Sequence, residues 1–141
     1  MDSFPIFLKL AGRRAVVVGG ASAAARKIEL LLDAGAVVTL IARRVDGEIA
    51  EWLADRRVRW GGAAFDERDL EGAALVIASS GDAALDRRVA RAAQRREIPV
   101  NVIDCPELSS FIMPSNVDRA PVTIAISTGG TAPSLARLLR A

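Results

Sequence analysis

The chain has no histidine and a single cysteine, Cys105. Without histidine the usual zinc, copper and haem ligand sets cannot be assembled, and one cysteine cannot close an internal disulfide, so no resident transition metal is expected. The same lack removes serine–histidine and cysteine–histidine catalysis. Proton transfer then falls to a carboxylate, a lysine, the cysteine or bound water, with aspartates first among them. Cys105 reads as packed rather than nucleophilic, because no neighbouring lysine or histidine stands by to activate it. No apolar run approaches the roughly 20 residues that cross a bilayer, so a membrane-spanning helix is not expected. Residues 1–10 carry no positive stretch ahead of their apolar residues and no small-residue cleavage site; no signal peptide is expected, and the cytoplasm is the expected location. Aromatic residues are 4% of the sequence, and none interleaves the arginine clusters as a stacking platform, which argues against a nucleic-acid partner.

What is present is apolar and rich in arginine. Hydrophobic residues make up 51% of the chain against 26% charged, a balance that buries a core and is too apolar for disorder. A length of 141 residues suits one main domain with a small appendage. Net charge is only +2, but arginines group at Arg56, Arg57 and Arg59 and again at Arg87, Arg88, Arg91, Arg95 and Arg96. They read either as solvated helix faces or as contacts for an anionic small molecule.

Buried-type runs alternate with helical patterns. Ala15, Val16, Val17 and Val18 precede a Gly-Gly turn; a helical stretch then places Ala24, Ile28, Leu31 and Gly35 on one face, with Arg26, Lys27, Glu29 and Asp33 elsewhere around it, and Gly35 as its C-terminal cap. An apolar run over 37–41 follows. A helix over 46–54 turns Ile49, Trp52 and Leu53 inward. Strands are expected near 58–60, 74–78 and 100–103, with a helical turn over 67–70 and a helix capped by Asp82 whose Leu85, Val89 and Ala92 face the core. This alternation predicts a Rossmann-like α/β fold, a doubly wound parallel sheet. After Cys105 and Pro106 the pattern changes to extended stretches over 110–116 and 122–127, joined through Asp118, Arg119, Ala120 and Pro121, then a turn and a helix that stops with the chain. The expected division is a nucleotide-binding domain over 1–106 and a β/α appendage over 107–141 that ends mid-pattern.

The turn Gly19-Gly20-Ala21-Ser22-Ala23-Ala24 follows a buried strand and opens a helix. That is the setting in which a glycine-rich turn cradles a pyrophosphate on free amides and the helix dipole. Against the pattern G-x-G-x-x-G/A it carries Gly19, Ala21 and Ala24, with alanine where the middle glycine stands. The bland alternative is a packing turn of small residues. After the second strand, Arg43 and Arg44 occupy the place of the acidic residue that takes the ribose hydroxyls of NAD. Their side chains would favour the 2′-phosphate of NADP, unless they face solvent and only their backbone lines the ribose. Asp104 follows the last buried run, at the edge where ligands of open α/β sheets bind. Partly buried there, it could remove a proton as a hydride leaves. A helix cap or structural hydrogen bond is the competing use.

Several blocks carry a resemblance to a known family: Phe4-Pro5-Ile6-Phe7, Val18-Gly19-Gly20, Arg26-Lys27, the run from Leu30 to Ala36, Asn101-Val102-Ile103-Asp104, Ser110-Phe111-Ile112-Met113-Pro114-Ser115 and the run from Ala125 to Pro133. Together they resemble the N-terminal module of siroheme synthases, the precorrin-2 dehydrogenase and sirohydrochlorin ferrochelatase family. The resemblance implies NAD-dependent oxidation of the tetrapyrrole precorrin-2 to sirohydrochlorin and, in many members, insertion of Fe(II) as a second substrate. It implies Asp104 as the acid/base. It places NAD contacts on Gly19, Gly20, Ala21, Ser22 and Ala23, on Arg43 and Arg44 through their backbone, and on Ser79 and Ser80. Ser127, Thr128 and Gly129 are expected at the tetrapyrrole, Thr128 standing where some relatives carry a serine that can be phosphorylated. A homodimer is implied too, and the sequence itself points the same way, because Phe111, Ile112 and Met113 in the segment over 110–141 need a surface to cover them. The rival from another class is a non-catalytic NAD(H)-sensing module, which usually carries an acidic residue where Arg43 stands.

Overall fold

The computed structural model describes all 141 residues, which fall into two compact units: residues 7–110 form one, and residues 1–6 with 111–141 the other. In the larger unit, β1 (Arg14–Val18), β2 (Val37–Ile41), β3 (Val58–Gly62), β4 (Leu75–Ala78) and β5 (Val100–Val102) make one parallel sheet in the order β3-β2-β1-β4-β5. The order reverses beside β1. Successive strands move away from that centre in opposite directions, and such a switch point opens a crevice at the carboxyl ends of the strands. Burial on both faces explains the unbroken apolar composition of the central strands: Val16, Val17, Val76 and Ile77 are fully buried.

The three main helices of this unit are α1 (Ser22–Asp33), α2 (Gly47–Ala54) and α3 (Ala83–Arg95). In α1 the residues buried are Ala24, Ala25, Ile28 and Leu31, three- and four-residue steps on one stripe. Each fully buried isoleucine or leucine of this kind contributes roughly 1.5–3 kcal/mol. The helix ends as expected, Gly35 donating to the Leu32 carbonyl and Ala36 to that of Leu31. Asp82 caps α3, its carboxylate accepting from the amides of Ala84 at 2.9 Å and Leu85 at 3.2 Å. Val89 and Ala92 are buried beneath it while Leu85 is only partly so. Two of its arginines, and Arg96 just after its last turn, are tied down at the surface. Arg88 donates to the Phe65 carbonyl and lies 5.3 Å from the Phe65 ring centroid, and Arg95 and Arg96 pair with Glu67. The short helical turn Glu67–Leu70 that presents Glu67 is closed by reciprocal hydrogen bonds of Asp66 and Asp69.

The smaller unit contains an antiparallel hairpin, β6 (Ser115–Arg119) and β7 (Val122–Ile126), and the helix α4 (Pro133–Arg140), which packs on both strands. The hairpin is tighter than the sequence suggests. Asp118 and Arg119 lie inside β6 rather than in its turn, because Arg119 pairs with Val122 and leaves Ala120 and Pro121 alone to reverse the chain. Residues 110–114, expected to be extended strand, precede β6.

Candidate functional site

The ends of β1, β4 and β5 are laced together. The Ser79 amide donates to the Val18 carbonyl at 2.8 Å, and the Ile103 amide to the Ala78 carbonyl at 3.0 Å. Everything that leaves the sheet at this edge therefore starts from one ledge: the glycine turn after Val18, the Ser79-Ser80 loop after β4, and Asp104 after β5.

Close backbone approach dictates the two glycines. A Cβ at Gly19, whose φ is +123°, would overlap the Ser79 carbonyl; one at Gly20 would overlap the carbonyl of Arg44. The second contact fixes how the segment after β2 runs. Asp46 donates to the Gly20 carbonyl at 2.8 Å, so backbone rather than side chain of the Arg43-Arg44 segment meets the turn, and both arginine side chains are exposed. Ala21, in place of the middle glycine, precedes the first turn of α1 at φ −88°, ψ 175°, extended backbone that alanine adopts freely. The turn keeps its shape despite the departure from the pattern.

The amino end of α1 is unoccupied by the protein's own groups. No side chain caps it, its first turn carries no acidic residue, and the exposed amides of Ser22 and Ala23 make no hydrogen bond within the chain. Free amides at the positive end of a helix, reached over two glycines, fit the pyrophosphate of a dinucleotide. Ser79 and Ser80 are half-buried at this edge. The Ser80 hydroxyl is already committed, donating to Asp86 at 2.6 Å and accepting from the Asp82 amide at 3.1 Å. Asp86 also receives the Ser80 amide at 3.0 Å and so shapes this loop, a role the sequence did not signal.

Asp104 sits in the left-handed region at φ +59°, a conformation that aspartate tolerates better than most residues. It caps no helix, for Cys105 precedes the short turn Pro106–Leu108. Its carboxylate accepts no hydrogen bond from the chain, and the residue is exposed rather than partly buried. Cys105 is half-buried, and a hydrogen bond with the Glu107 carboxylate, aided by burial, holds its thiol above the ordinary 9.0. A thiol kept protonated is a poor nucleophile. One further charge belongs to this edge: Lys27 on α1, half-buried, with its ammonium lowered below the usual 10.5 by burial, against the opposing pull of Asp104.

Ser127, Thr128 and Gly129 belong to the smaller unit. There the Ser127 hydroxyl accepts from the Gly129 amide at 3.2 Å, and that of Thr128 from the Ala132 amide at 3.1 Å, ordering the turn before α4. No group of three or more carboxylate or thiol side chains is placed to hold a metal ion, and no helix is long and apolar enough to cross a membrane.

A family model described as "Putative NAD(P)-binding" matches residues 6–115. The siroheme synthase of Methylobacillus flagellatus is 51% identical over 140 residues, covering 99% of this chain and 30% of that protein. The siroheme synthase of Methylococcus capsulatus is 52% identical over 141 residues, covering 99% and 30%. The chain thus spans about 30% of the length of these relatives, in their N-terminal part. Among solved structures, "SirC, precorrin-2 dehydrogenase" superposes with a TM-score of 0.82 at 29% identity, over 98% of this chain and 68% of that one. The chain belongs to the NAD(P)-binding family of that model, and nearly its whole length is homologous to the N-terminal part of siroheme synthase.

Proposed function

We propose that the chain oxidises precorrin-2 to sirohydrochlorin with NAD as hydride acceptor. The observation that carries this reading is the pairing, on one ledge of the sheet, of a helix start with free amides and an exposed carboxylate that has no structural employment. Bound NAD supplies a nicotinamide that accepts two electrons as hydride. The chain supplies the rest. Gly19 and Gly20 let the pyrophosphate approach the amides of Ala21, Ser22 and Ala23. The backbone of Arg43 and Arg44 lines the adenosine ribose, which favours NAD over NADP because the guanidinium groups face solvent. Asp104 accepts the proton that the substrate loses as its hydride departs, so one precorrin-2 and one NAD⁺ give sirohydrochlorin, NADH and a proton.

Ser79 and Ser80 complete the cofactor side; Ser127, Thr128 and Gly129 contribute to the tetrapyrrole side. A second copy of the chain covers the apolar residues of the smaller unit that stand open, Val122, Ile124, Leu138 and Leu139 among them. Replacing Asp104 tests the assignment directly. Asp104→Ala should lower turnover by about 10²- to 10⁴-fold while NADH binding persists, because the phosphate turn lies on another strand. Full activity in that variant would remove Asp104 from the chemistry. Insertion of Fe(II) into sirohydrochlorin, the second activity of many relatives by resemblance, would call on the same carboxylate. A rate no faster than a protein-free control would leave the chain a dehydrogenase alone.

A further inference from the structure

One charged side chain at the carboxyl edge of the sheet has no part in the reaction as described. Lys27 stands in the second turn of α1, roughly 8 Å along the helix axis from Ser22, beside the stripe of Ala24, Ile28 and Leu31 that the helix buries. Its side chain is half-buried, yet it donates no hydrogen bond, and the chain's ion pairs lie elsewhere, Arg68 with Asp66 and Arg95 and Arg96 with Glu67. The charges that act on it are the Asp104 carboxylate and the like-charged Arg26, and no carboxylate oxygen lies within 4.0 Å of its nitrogen. An ammonium drawn partly out of water without an acceptor is costly. An anion from outside the chain would remove that cost.

We propose that Lys27 docks a carboxylate of the tetrapyrrole substrate beside Asp104. The proposal rests on the reading of the chain as a precorrin-2 dehydrogenase and assigns a partner to the substrate's negative charge. An acidic tetrapyrrole brought against the Asp104 carboxylate meets like charge. An ammonium between them offsets the repulsion and selects which edge of the ring faces the proton acceptor. Position favours the substrate over a cofactor phosphate. Asp104 follows β5, on the opposite side of β1 from β2, whereas the adenosine half of a dinucleotide lies toward the end of β2 in sheets of this plan. The pyrophosphate, moreover, has the free amides of α1.

The test is titration of sirohydrochlorin, and separately of NADH, into the unaltered chain and its Lys27→Met and Lys27→Arg variants, each checked for folding by circular dichroism. Lys27→Met should bind sirohydrochlorin at least about tenfold more weakly, the loss of one charge-assisted hydrogen bond, with NADH affinity unchanged and Lys27→Arg restoring most of the loss. A fully esterified ring should not distinguish the variants. In turnover, Lys27→Met should raise KM for precorrin-2 more than it lowers kcat. Equal sirohydrochlorin affinity in the unaltered and Lys27→Met chains overturns the proposal and leaves the dehydrogenase reading standing. A loss confined to NADH overturns it by assigning Lys27 to a cofactor phosphate. An unaltered chain that binds no sirohydrochlorin overturns the dehydrogenase reading, and this proposal with it.

Discussion

At the scale of single residues, the site is a matter of which polar groups the fold leaves unemployed. The position of Asp104 at the carboxyl edge of the sheet was legible in the sequence because a buried apolar run ends just before it, and parallel sheets present such residues to their ligand edge. Lys27 was not. Its place in the helical pattern reads as an outward residue like Arg26, and only the packing of α1 shows that its side chain is half-buried, with the Asp104 charge acting on it. That burial has a thermodynamic consequence. Because the folded value lies below the ordinary 10.5, the unfolded chain binds this proton more tightly, and stability rises with pH between the lowered value and 10.5. Urea unfolding from neutral pH up to 10.5 should show that rise for the unaltered chain and a smaller one for Lys27→Met. Cys105, held above its ordinary 9.0, acts in the opposite sense but is common to both proteins. Identical pH slopes would mean that the ammonium is fully hydrated.

Elements make the residue geometry unavoidable, and they differ in how plainly the sequence displays them. The parallel sheet, its helices and the glycine turn follow from the alternation of apolar runs with helical periodicity. The hairpin's turn was misplaced at Asp118 and Arg119, because two polar residues before Ala-Pro look like loop while cross-strand pairing keeps them in β6. The Asp86 contact with Ser80 is not legible in the sequence for a related reason: it spans six residues between loop and helix, a separation no local pattern marks. Two substitutions measure the elements themselves. Gly19→Ala must place a methyl against the Ser79 carbonyl at φ +123°; the backbone strain alone costs about 1–3 kcal/mol, and NADH affinity should fall as the turn shifts. An alanine variant as stable as the parent, with unaltered NADH binding, would contradict the close approach of β1 to β4. Asp82→Ala removes the cap of α3 and should lower stability by about 1 kcal/mol without touching nucleotide affinity, measurable by chemical denaturation.

For the molecule as a whole, the larger unit accounts for nucleotide binding and for Asp104, while the smaller unit presents apolar side chains to solvent, Leu138 at 71% exposure and Leu139 at 61%. Surfaces of that kind usually meet a partner. Sedimentation at micromolar concentration should find a dimer, and replacing Leu138 and Leu139 with glutamate should yield monomer. A chain that sediments as monomer before substitution would contradict the expected second copy. The opposing account, a sensor that binds NAD(H) and transforms nothing, shares the sheet and the phosphate turn but has no use for an unpartnered Asp104. The measurement that separates them most directly follows NADH formation and the sirohydrochlorin spectrum together, under anaerobic conditions, after mixing the folded chain with NAD and freshly generated precorrin-2. The dehydrogenase account predicts that both signals rise in step, one NADH for each sirohydrochlorin, and that both rise at least about 10²-fold more slowly with Asp104→Ala. Tight NAD binding with no formation of either product would contradict it.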